Sequence, residues 1–175
     1  MRQTGEGLVR CHVEELGDLM ESLVASDAVG AGGDRFDWFR ETVCNEVMPV
    51  MLSTRHAAGF RASITDLDLG VVRLSAVSDS PVLSRRTSTH VRRGDPEHVQ
   101  LALMTQGAVM ISQRGNESVV AGGLMLTDTP RPSEGACTSG QIEAVVLRIP
   151  RQPLALNSDR WTASSHRAWP QTWAQ

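Results

Sequence analysis

Arginine side chains on or beside predicted strands are the residues of this chain best suited to bind a ligand. Five lie in such positions: Arg73, Arg85, Arg86, Arg92 and Arg93. A guanidinium group that points into a barrel can bind a carboxylate or a phosphate through two parallel hydrogen bonds. We take Arg73 and Arg86 as candidate ligand-binding residues. The alternative is that these arginines point outward and solvate the sheet.

Three methionines in or next to predicted strands could line the same pocket, because the flexible thioether side chain adapts to ligands of irregular shape. They are Met104, Met110 and Met125. Ordinary core filling explains methionines in strands equally well. The sequence therefore gives candidate pocket residues and leaves core packing as the alternative.

The five histidines do not have the spacing of a metal site. Enzymes that hold iron, manganese or zinc in a barrel use histidines and carboxylates placed close together on neighbouring strands. Here His90 and His98 flank RRGDPE, a predicted turn, and the strand VQLALMTQG that follows supplies no ligand. We therefore predict no metal and no cofactor, and we expect the histidines at the surface.

The three cysteines do not indicate catalysis either. Cys11, Cys44 and Cys137 are widely spaced and form no CxxC pair of the kind that builds zinc or redox centres. None has a neighbourhood that would mark an activated thiolate. We expect reduced thiols, no catalytic residue and a protein that is not an enzyme.

Composition narrows the choice of partners and location. A chain of 175 residues with a net charge of -3 predicts one domain and lacks the basic field that duplex DNA requires. No early apolar run resembles a secretory signal, and no segment reaches the roughly 18 apolar residues of a membrane span. We expect a cytoplasmic protein that neither enters a membrane nor binds DNA directly.

These candidate residues must be positioned by strands, and residues 95–132 give the clearest pattern. Apolar and polar residues alternate in short runs, which is typical of strands with one face in a core. Turns are predicted at Gln106-Gly107, at Arg114 to Glu117 and at Gly122-Gly123. The pattern predicts four short strands, and their close spacing requires antiparallel pairing.

Further strands are predicted on both sides of this region. They begin near Phe60, near Val72 and at Val82, the last being a more polar run that continues to Val91. Gln141 to Ile149 has apolar residues on both faces and predicts a strand buried on both sides. The predicted fold class is α+β, mostly β: a cupin-like antiparallel jelly-roll barrel with two N-terminal helices.

Two helices are predicted before the strands. The first, across residues 13–24, is amphipathic, and Leu16, Met20 and Leu23 on its apolar face are candidate dimerisation residues. The alternative is that this face packs onto its own domain. The second is RFDWFRETVCNEV, with Asp34 as its predicted cap and Pro49 helping to end it. The chain is thus divided into residues 1–33, a domain at 34–151 and an irregular, tryptophan-containing tail at 152–175.

The order of these elements resembles a known family. The segments RFDWFRETVC, GDPEHVQLALMTQG, QRGNESVVAGGLMLTDTPRP and IEAVVLRIPR resemble, in order and spacing, the N-terminal cupin-like sensor domain of AraC/XylS-type transcription regulators. The resemblance covers about 35–151. It implies a barrel that binds a small-molecule effector or mediates dimerisation, without catalysis and without an obligatory metal.

The family's DNA-binding part has no counterpart in this sequence. The resemblance implies two helix-turn-helix units after the sensor, but residues 152–175 contain no pair of periodic helices. Truncation, a shifted reading frame near Leu156 and a stand-alone sensor all remain open. We predict a sensor that binds an effector, or pairs with itself or with a related full-length regulator. A small cupin-type metalloenzyme, such as an isomerase or dioxygenase, is the alternative.

Overall fold

Eight antiparallel strands dominate the structure, a computed structural model that describes residues 32–152. Two short helices accompany them. The strands are β1 (Met51–Ser53), β2 (Ala62–Asp68), β3 (Arg73–Asp79), β4 (Leu83–Arg86), β5 (His98–Gln113), β6 (Asn116–Asp128), β7 (Ser133–Cys137) and β8 (Ile142–Pro150). The helices are α1 (Gly32–Thr42), which continues as a π-helical segment (Val43–Val47), and α2 (Ser88–Arg93), with a 3-10 turn at Ala57–Gly59.

One sheet contains all eight strands, in the order β1-β4-β7-β5-β8-β3-β2, with β6 paired to β5. Every pairing is antiparallel. The predicted mostly β, antiparallel architecture is therefore confirmed. The predicted first helix, with Leu16, Met20 and Leu23, lies outside the described residues, as does the tail after residue 152.

Residues 95–132 contain two long strands where the sequence predicted four short ones. The chain reverses between these two strands, β5 and β6, in the two-residue loop Arg114-Gly115. Both loop residues have positive φ, +57° and +75°. Such a loop matches the twist of the strands that it joins. Gln106-Gly107 and Gly122-Gly123 lie inside β5 and β6 and were wrongly predicted as turns.

A bulge in β5 explains why these glycines looked like turn residues. The pairing with β6 shifts register between Met104 and Ala108, and here β5 also changes its other neighbour from β8 to β7. Gly107 has a φ of +82°, and a Cβ atom on it would lie 2.5 Å from the carbonyl oxygen of Gln141. Because bulges bend strands, this one curls the sheet while β5 continues.

The predicted strand from Val82 to Val91 is also corrected. It ends at Arg86, and α2 follows at Ser88. Thr87 caps this helix: its hydroxyl accepts a hydrogen bond from the backbone N–H of His90, whose ring Nδ1 accepts one from the backbone N–H of Thr87. This reciprocal capping favours a helix start over an extended chain.

Helix α1 packs its aromatic residues against one face of the sheet. The rings of Phe36 and Phe39 lie 5.1 and 5.4 Å from that of Phe60, and Val50 and Leu52 complete this buried core. The predicted second helix is confirmed, but it begins at Gly32, so Asp34 lies inside it. The π-helical segment ends as predicted just before Pro49, because proline disfavours helical geometry in the residue that precedes it.

Candidate functional site

A buried arginine, Arg148, lies at the polar end of the sheet face against which helix α1 packs. Arg148 lies on β8 and shares a face with Ile142, Ala144 and Val146, because side chains alternate along a strand. Ala144 is paired with Val77 of β3, so Val77 lies on the same face, and Val77 packs against the aromatic core. Arg148 is only 3% exposed. A buried charged side chain requires partners around it.

Two of its three nitrogens have such partners. Nη1 donates to the carbonyl oxygen of Glu46 in the π-helical segment at 2.8 Å. Nη2 donates to Asp66 Oδ1 at 2.7 Å and to Ser75 Oγ at 2.6 Å, and the Ser75 hydroxyl also donates to the Asp66 carboxylate. Nε is buried and has no hydrogen-bond partner in the structure. The guanidinium is thus held from two sides through both of its terminal nitrogens.

Arg148 lies at the wall of a cleft of about 360 Å³. This volume is at the lower end of the range of about 300–1,000 Å³ that is usual for small-molecule pockets. We call it the Arg148 cleft. Its lining residues come from the π-helical segment, the β2–β3 hairpin, the start of β5 and the end of β8: Glu46, Asp68, Gly70, Val71, Val72, Arg73, His98, Arg148 and Pro150.

His98 is a second lining residue of the cleft whose environment is unusual. Its backbone is fixed by Thr129, whose hydroxyl accepts from the His98 N–H at 2.9 Å and whose N–H donates to the His98 carbonyl at 3.0 Å. The ring Nδ1 is buried and has no hydrogen-bond partner in the structure. Burial lowers the pKa of His98, and the positive charge of Arg148 lowers it further. The imidazole is therefore neutral at physiological pH.

Arg73 occupies the outer part of the cleft between two exposed carboxylates. Its Nη2 lies 3.4 Å from Asp68 Oδ2, and its Nη1 lies 3.9 Å from Glu46 Oε2. The backbone N–H of Gly70 and the Arg73 guanidinium both lower the pKa of Asp68. Exposed pairs at these distances are weak and are screened by salt, so Arg73 can exchange them for a ligand.

Comparison with known proteins identifies the family of the chain. A family model described as the AraC-binding-like domain matches residues 39–171. The chain belongs to this family. Its fold is similar to that of the AraC-like transcriptional activator CuxR, with a TM-score of 0.63 and 19% sequence identity over 73% of this chain. The predicted cupin-like fold class and the predicted family resemblance are thereby confirmed.

Other similarities are more distant. The cupin domain of Cnp3 from Schizosaccharomyces pombe has a TM-score of 0.42 at 8% identity, covering 63% of this chain and 74% of that one. A cupin-like protein from Thermotoga maritima MSB8 has a TM-score of 0.40 at 10% identity, covering 53% of this chain and 73% of that one. No curated protein matches the sequence. The chain spans 46% of the length of CuxR.

Of the five predicted ligand-binding residues, only Arg73 lines the Arg148 cleft of this AraC-binding-like domain. Arg86 is also buried, but all its nitrogens contact groups of the protein outside the cleft. Met104, 3% exposed, and Met125 share the inner face of the sheet with Ala102 and Ala144. Met110 is paired with Val119, which is 61% exposed, and so lies on the opposite face. Ligand binding by these residues stays a prediction.

Two residues of the cleft were missed by sequence reasoning. His98 was expected at the surface, whereas its Nδ1 is buried. Arg148 was not selected, although it continues the apolar face of β8, where a charge stands out against Ile142, Ala144 and Val146. An arginine at the end of an apolar face is the feature that could have identified it.

Residues 32–152 contain no assembled site for metal binding or thiol chemistry. No group of three histidine, cysteine, aspartate or glutamate side chains there is arranged to hold a metal ion. Cys44 and Cys137 are unpaired thiols whose sulfurs donate to the carbonyls of Val50 and Ser139. In the same range, neither helix has both the length and the apolar character needed to cross a membrane.

Proposed function

We propose that this AraC-binding-like domain is the effector-sensing part of a cytoplasmic, AraC-type regulatory system. It binds a small molecule in the Arg148 cleft and does not transform it. Occupancy of the cleft then changes how the domain pairs with a second copy or with a related full-length regulator. The domain acts on transcription through that pairing and does not contact DNA itself.

The Arg148 cleft, in a domain of this family, is the observation that carries this proposal. The cleft has a volume of about 360 Å³, and Arg73 in its outer part is held only by exposed carboxylates at 3.4 and 3.9 Å. Exposed pairs at these distances are weak, so the Arg73 guanidinium can exchange them for a ligand. Membership of the AraC-binding-like family supports a ligand-binding role for such a cleft.

The pairing part of the proposal depends on the sequence. Leu16, Met20 and Leu23 are predicted from the sequence to share one apolar helix face that could meet a partner chain, and they stay candidate dimerisation residues. The net charge of -3 supports an indirect role in transcription, because direct binding to duplex DNA depends on neutralising phosphates with basic residues. Light scattering at micromolar concentration tests the pairing, and a monomer with and without effector would contradict it.

A thermal-shift screen of small acids, sugars and aromatic metabolites tests the sensing function. A ligand of the folded state raises the melting temperature in a concentration-dependent way by mass action. We expect at least one compound to do so, and the same compound to stabilise the His98→Leu variant much less. A screen in which no compound stabilises the protein would refute effector sensing at this cleft.

A further inference from the structure

We infer that the first half of β6, residues 116–121, pairs with the same segment of a second copy of this chain. The two strand edges form an antiparallel ladder around a two-fold axis at Val119, and the sheets of the two copies join into one. This inference rests on the pairing in the proposed function and names the surface through which it occurs. Three properties of β6 support it: its open edge, its lack of protection and its self-complementarity.

β6 lies at an edge of the sheet that residues 32–152 form. It pairs with β5, whose other side is occupied by β7 and β8. No described strand pairs with the far side of β6. Val119 is 61% exposed and its neighbour Val120 is 3% exposed, so this half of β6 has one face in the core and the other in solvent. A strand in this position presents a row of unpaired backbone donors and acceptors.

The edge strands in the described part of the chain differ in how they are protected against pairing. Proteins blunt such edges with very short strands, with charged side chains or with proline. β1 has only three residues, and β2 carries Asp66 and Asp68. β6 has 13 residues, and its segment 118–127, SVVAGGLMLT, contains neither a charge nor a proline. Among these edges, β6 is therefore the one suited to pairing.

The β5–β6 hairpin determines which backbone groups of β6 face outward. Its two-residue loop is closed by a hydrogen-bonded pair, Gln113 and Asn116. Hydrogen-bonded and non-hydrogen-bonded pairs then alternate along an antiparallel ladder. The backbone N–H and C=O groups of Glu117, Val119 and Ala121 therefore point away from β5.

These three residues define one register with a second copy. Only a two-fold axis at Val119 pairs all three, with Val119 opposite the partner's Val119 and Glu117 opposite the partner's Ala121. Such a ladder supplies about six backbone hydrogen bonds. It also brings together two exposed β-branched side chains at its centre, which is a favourable cross-strand contact.

Charge and backbone shape are compatible with this register. The Cα atoms of the two Glu117 residues lie about 13 Å apart along the ladder, because four residues separate them. This distance exceeds the screening length of about 8 Å at physiological ionic strength, so their repulsion is weak. Gly122 and Gly123 have φ of +65° and +124° and lie opposite the bulge of β5, where the strands bend. The ladder between copies therefore ends at Ala121.

Sedimentation analysis of the full chain over a micromolar concentration series tests the pairing. One short ladder buries less surface than most stable interfaces, so we expect monomer and dimer in equilibrium. Val119→Pro removes the outward N–H at the centre of the ladder and keeps every N–H that faces β5. Proline is tolerated at such positions of edge strands, so the fold should be retained while dimerisation weakens at least tenfold.

A matched pair of lysine variants separates the strand edge from the exposed sheet face. Val119→Lys places two like charges opposite each other and should weaken dimerisation at least tenfold. Leu83→Lys introduces the same charge on the same face, at a residue that is 48% exposed, but β4 is paired on both sides. This control should leave the dimer unchanged. If Val119→Pro fails to fold, the lysine pair decides.

Cysteine variants test the register. The two Val119 Cα atoms should lie about 5.5 Å apart in the ladder, a distance that suits a disulfide. With the thiol oxidant diamide, Val119→Cys should form a linked dimer faster than the wild type, which has three cysteines of its own. Glu117→Cys alone should not exceed the wild type, whereas Glu117→Cys mixed with Ala121→Cys should give linked mixed dimers.

Three results would overturn the inference and leave the proposed pairing to another surface. Val119→Pro and Val119→Lys could both leave the dimer intact, Leu83→Lys could weaken it as much as Val119→Lys, or Glu117→Cys could cross-link as fast as Val119→Cys. A chain that stays monomeric at all concentrations would overturn the inference together with the proposed pairing. Effector sensing is judged separately, by the thermal-shift screen.

Discussion

Arg86 and Arg148 are both buried arginines on strands, and they differ in how completely the protein surrounds them. Arg86 is 2% exposed and Arg148 is 3% exposed. Arg86 donates from Nε to Thr129 O at 2.9 Å, from Nη1 to Pro49 O and from Nη2 to Asp95 Oδ1 at 3.3 Å. Arg148 has partners for two nitrogens and none for Nε.

The difference separates an arginine enclosed by the protein from one that lines a cleft. Arg86 ties β4 to three segments of the chain, so its role is to hold those segments together. Arg148 is held through both terminal nitrogens, and it lines the Arg148 cleft. Residue type and burial are the same in both cases, and only the complete set of hydrogen bonds distinguishes them.

The largest effect is expected from Arg86→Leu. This change leaves the carbonyls of Thr129 and Pro49 and the carboxylate of Asp95 without their buried donor. Removing one partner of a buried ion pair typically costs about 3–5 kcal/mol, so the free energy of unfolding in urea should fall by that amount. Arg86→Lys, which keeps the charge, should recover part of the loss.

A small change for Arg86→Leu would break the comparison, because Arg86 would then not be needed for stability. A folded Arg86→Leu protein that loses binding of an effector found in the thermal-shift screen, while Arg148→Lys retains it, would reverse the two roles. Both results are measured on the same urea curves and calorimetric titrations.

Asp79 extends the comparison to a buried acid. It is 4% exposed, its Oδ1 has no hydrogen-bond partner among residues 32–152, and burial raises its pKa to about 7 from 3.8. Between about pH 4 and 7 the unfolded chain releases this proton while the folded protein retains it. The free energy of unfolding should therefore fall as pH rises through this window, by up to about 4 kcal/mol.

Urea unfolding of the wild type and of Asp79→Asn at pH 5 to 8 isolates this contribution. The variant has no carboxyl proton to lose, so the difference between the two proteins should change steadily up to about pH 7 and then become constant. Parallel curves across this range would show that Asp79 has an ordinary pKa in the folded protein.

Gly107 lies between the two halves of β5. One half is paired with β8, the strand of Arg148, and the other half is paired with β7, which neighbours β4, the strand of Arg86. Gly107→Ala should destabilise the protein by roughly 1–3 kcal/mol from its positive φ alone. The clash with the Gln141 carbonyl, 2.5 Å from the new Cβ, adds to this cost. Gly115→Ala is the control, since its φ is +75° but no atom lies within 4 Å. Equal losses in the two variants would show that packing at the bulge is unimportant.

The sequence predicted the fold class because alternation and glycine placement record local backbone geometry. It failed where one residue type serves two geometries. Gly107 in a bulge and Gly115 in a hairpin loop both have positive φ, so both looked like turns. Thr87 was placed in a strand because its side-chain cap depends on a specific hydrogen bond with His90, which periodicity does not reveal.

The candidate site was less predictable than the fold. Arg73 was selected because it lies on or beside a predicted strand, and it lines the cleft. Arg148 and His98 line one cleft because β8 and β5 are adjacent in the sheet, and the β2–β3 hairpin contributes further lining residues. Whether an arginine has a partner for each N–H depends on distant segments such as the π-helical turn, 102 residues away from Arg148 along the chain.

The smallest effect is expected at Arg85, the neighbour of Arg86 in sequence. Arg85 Nε on β4 lies 2.9 Å from Glu134 Oε1 on β7, and the two side chains are 60% and 62% exposed. Exposed pairs contribute about 0.2–1 kcal/mol, so a double-mutant cycle of Arg85→Gln and Glu134→Gln should give a coupling energy in that range. The coupling should shrink further in 1 M salt, where the screening length falls to about 3 Å. A coupling energy close to the loss of unfolding free energy in Arg86→Leu would contradict this expectation. Burial and hydrogen bonding would then not determine how much an arginine stabilises this domain. The distinction between Arg86 and Arg148 would lose its physical basis.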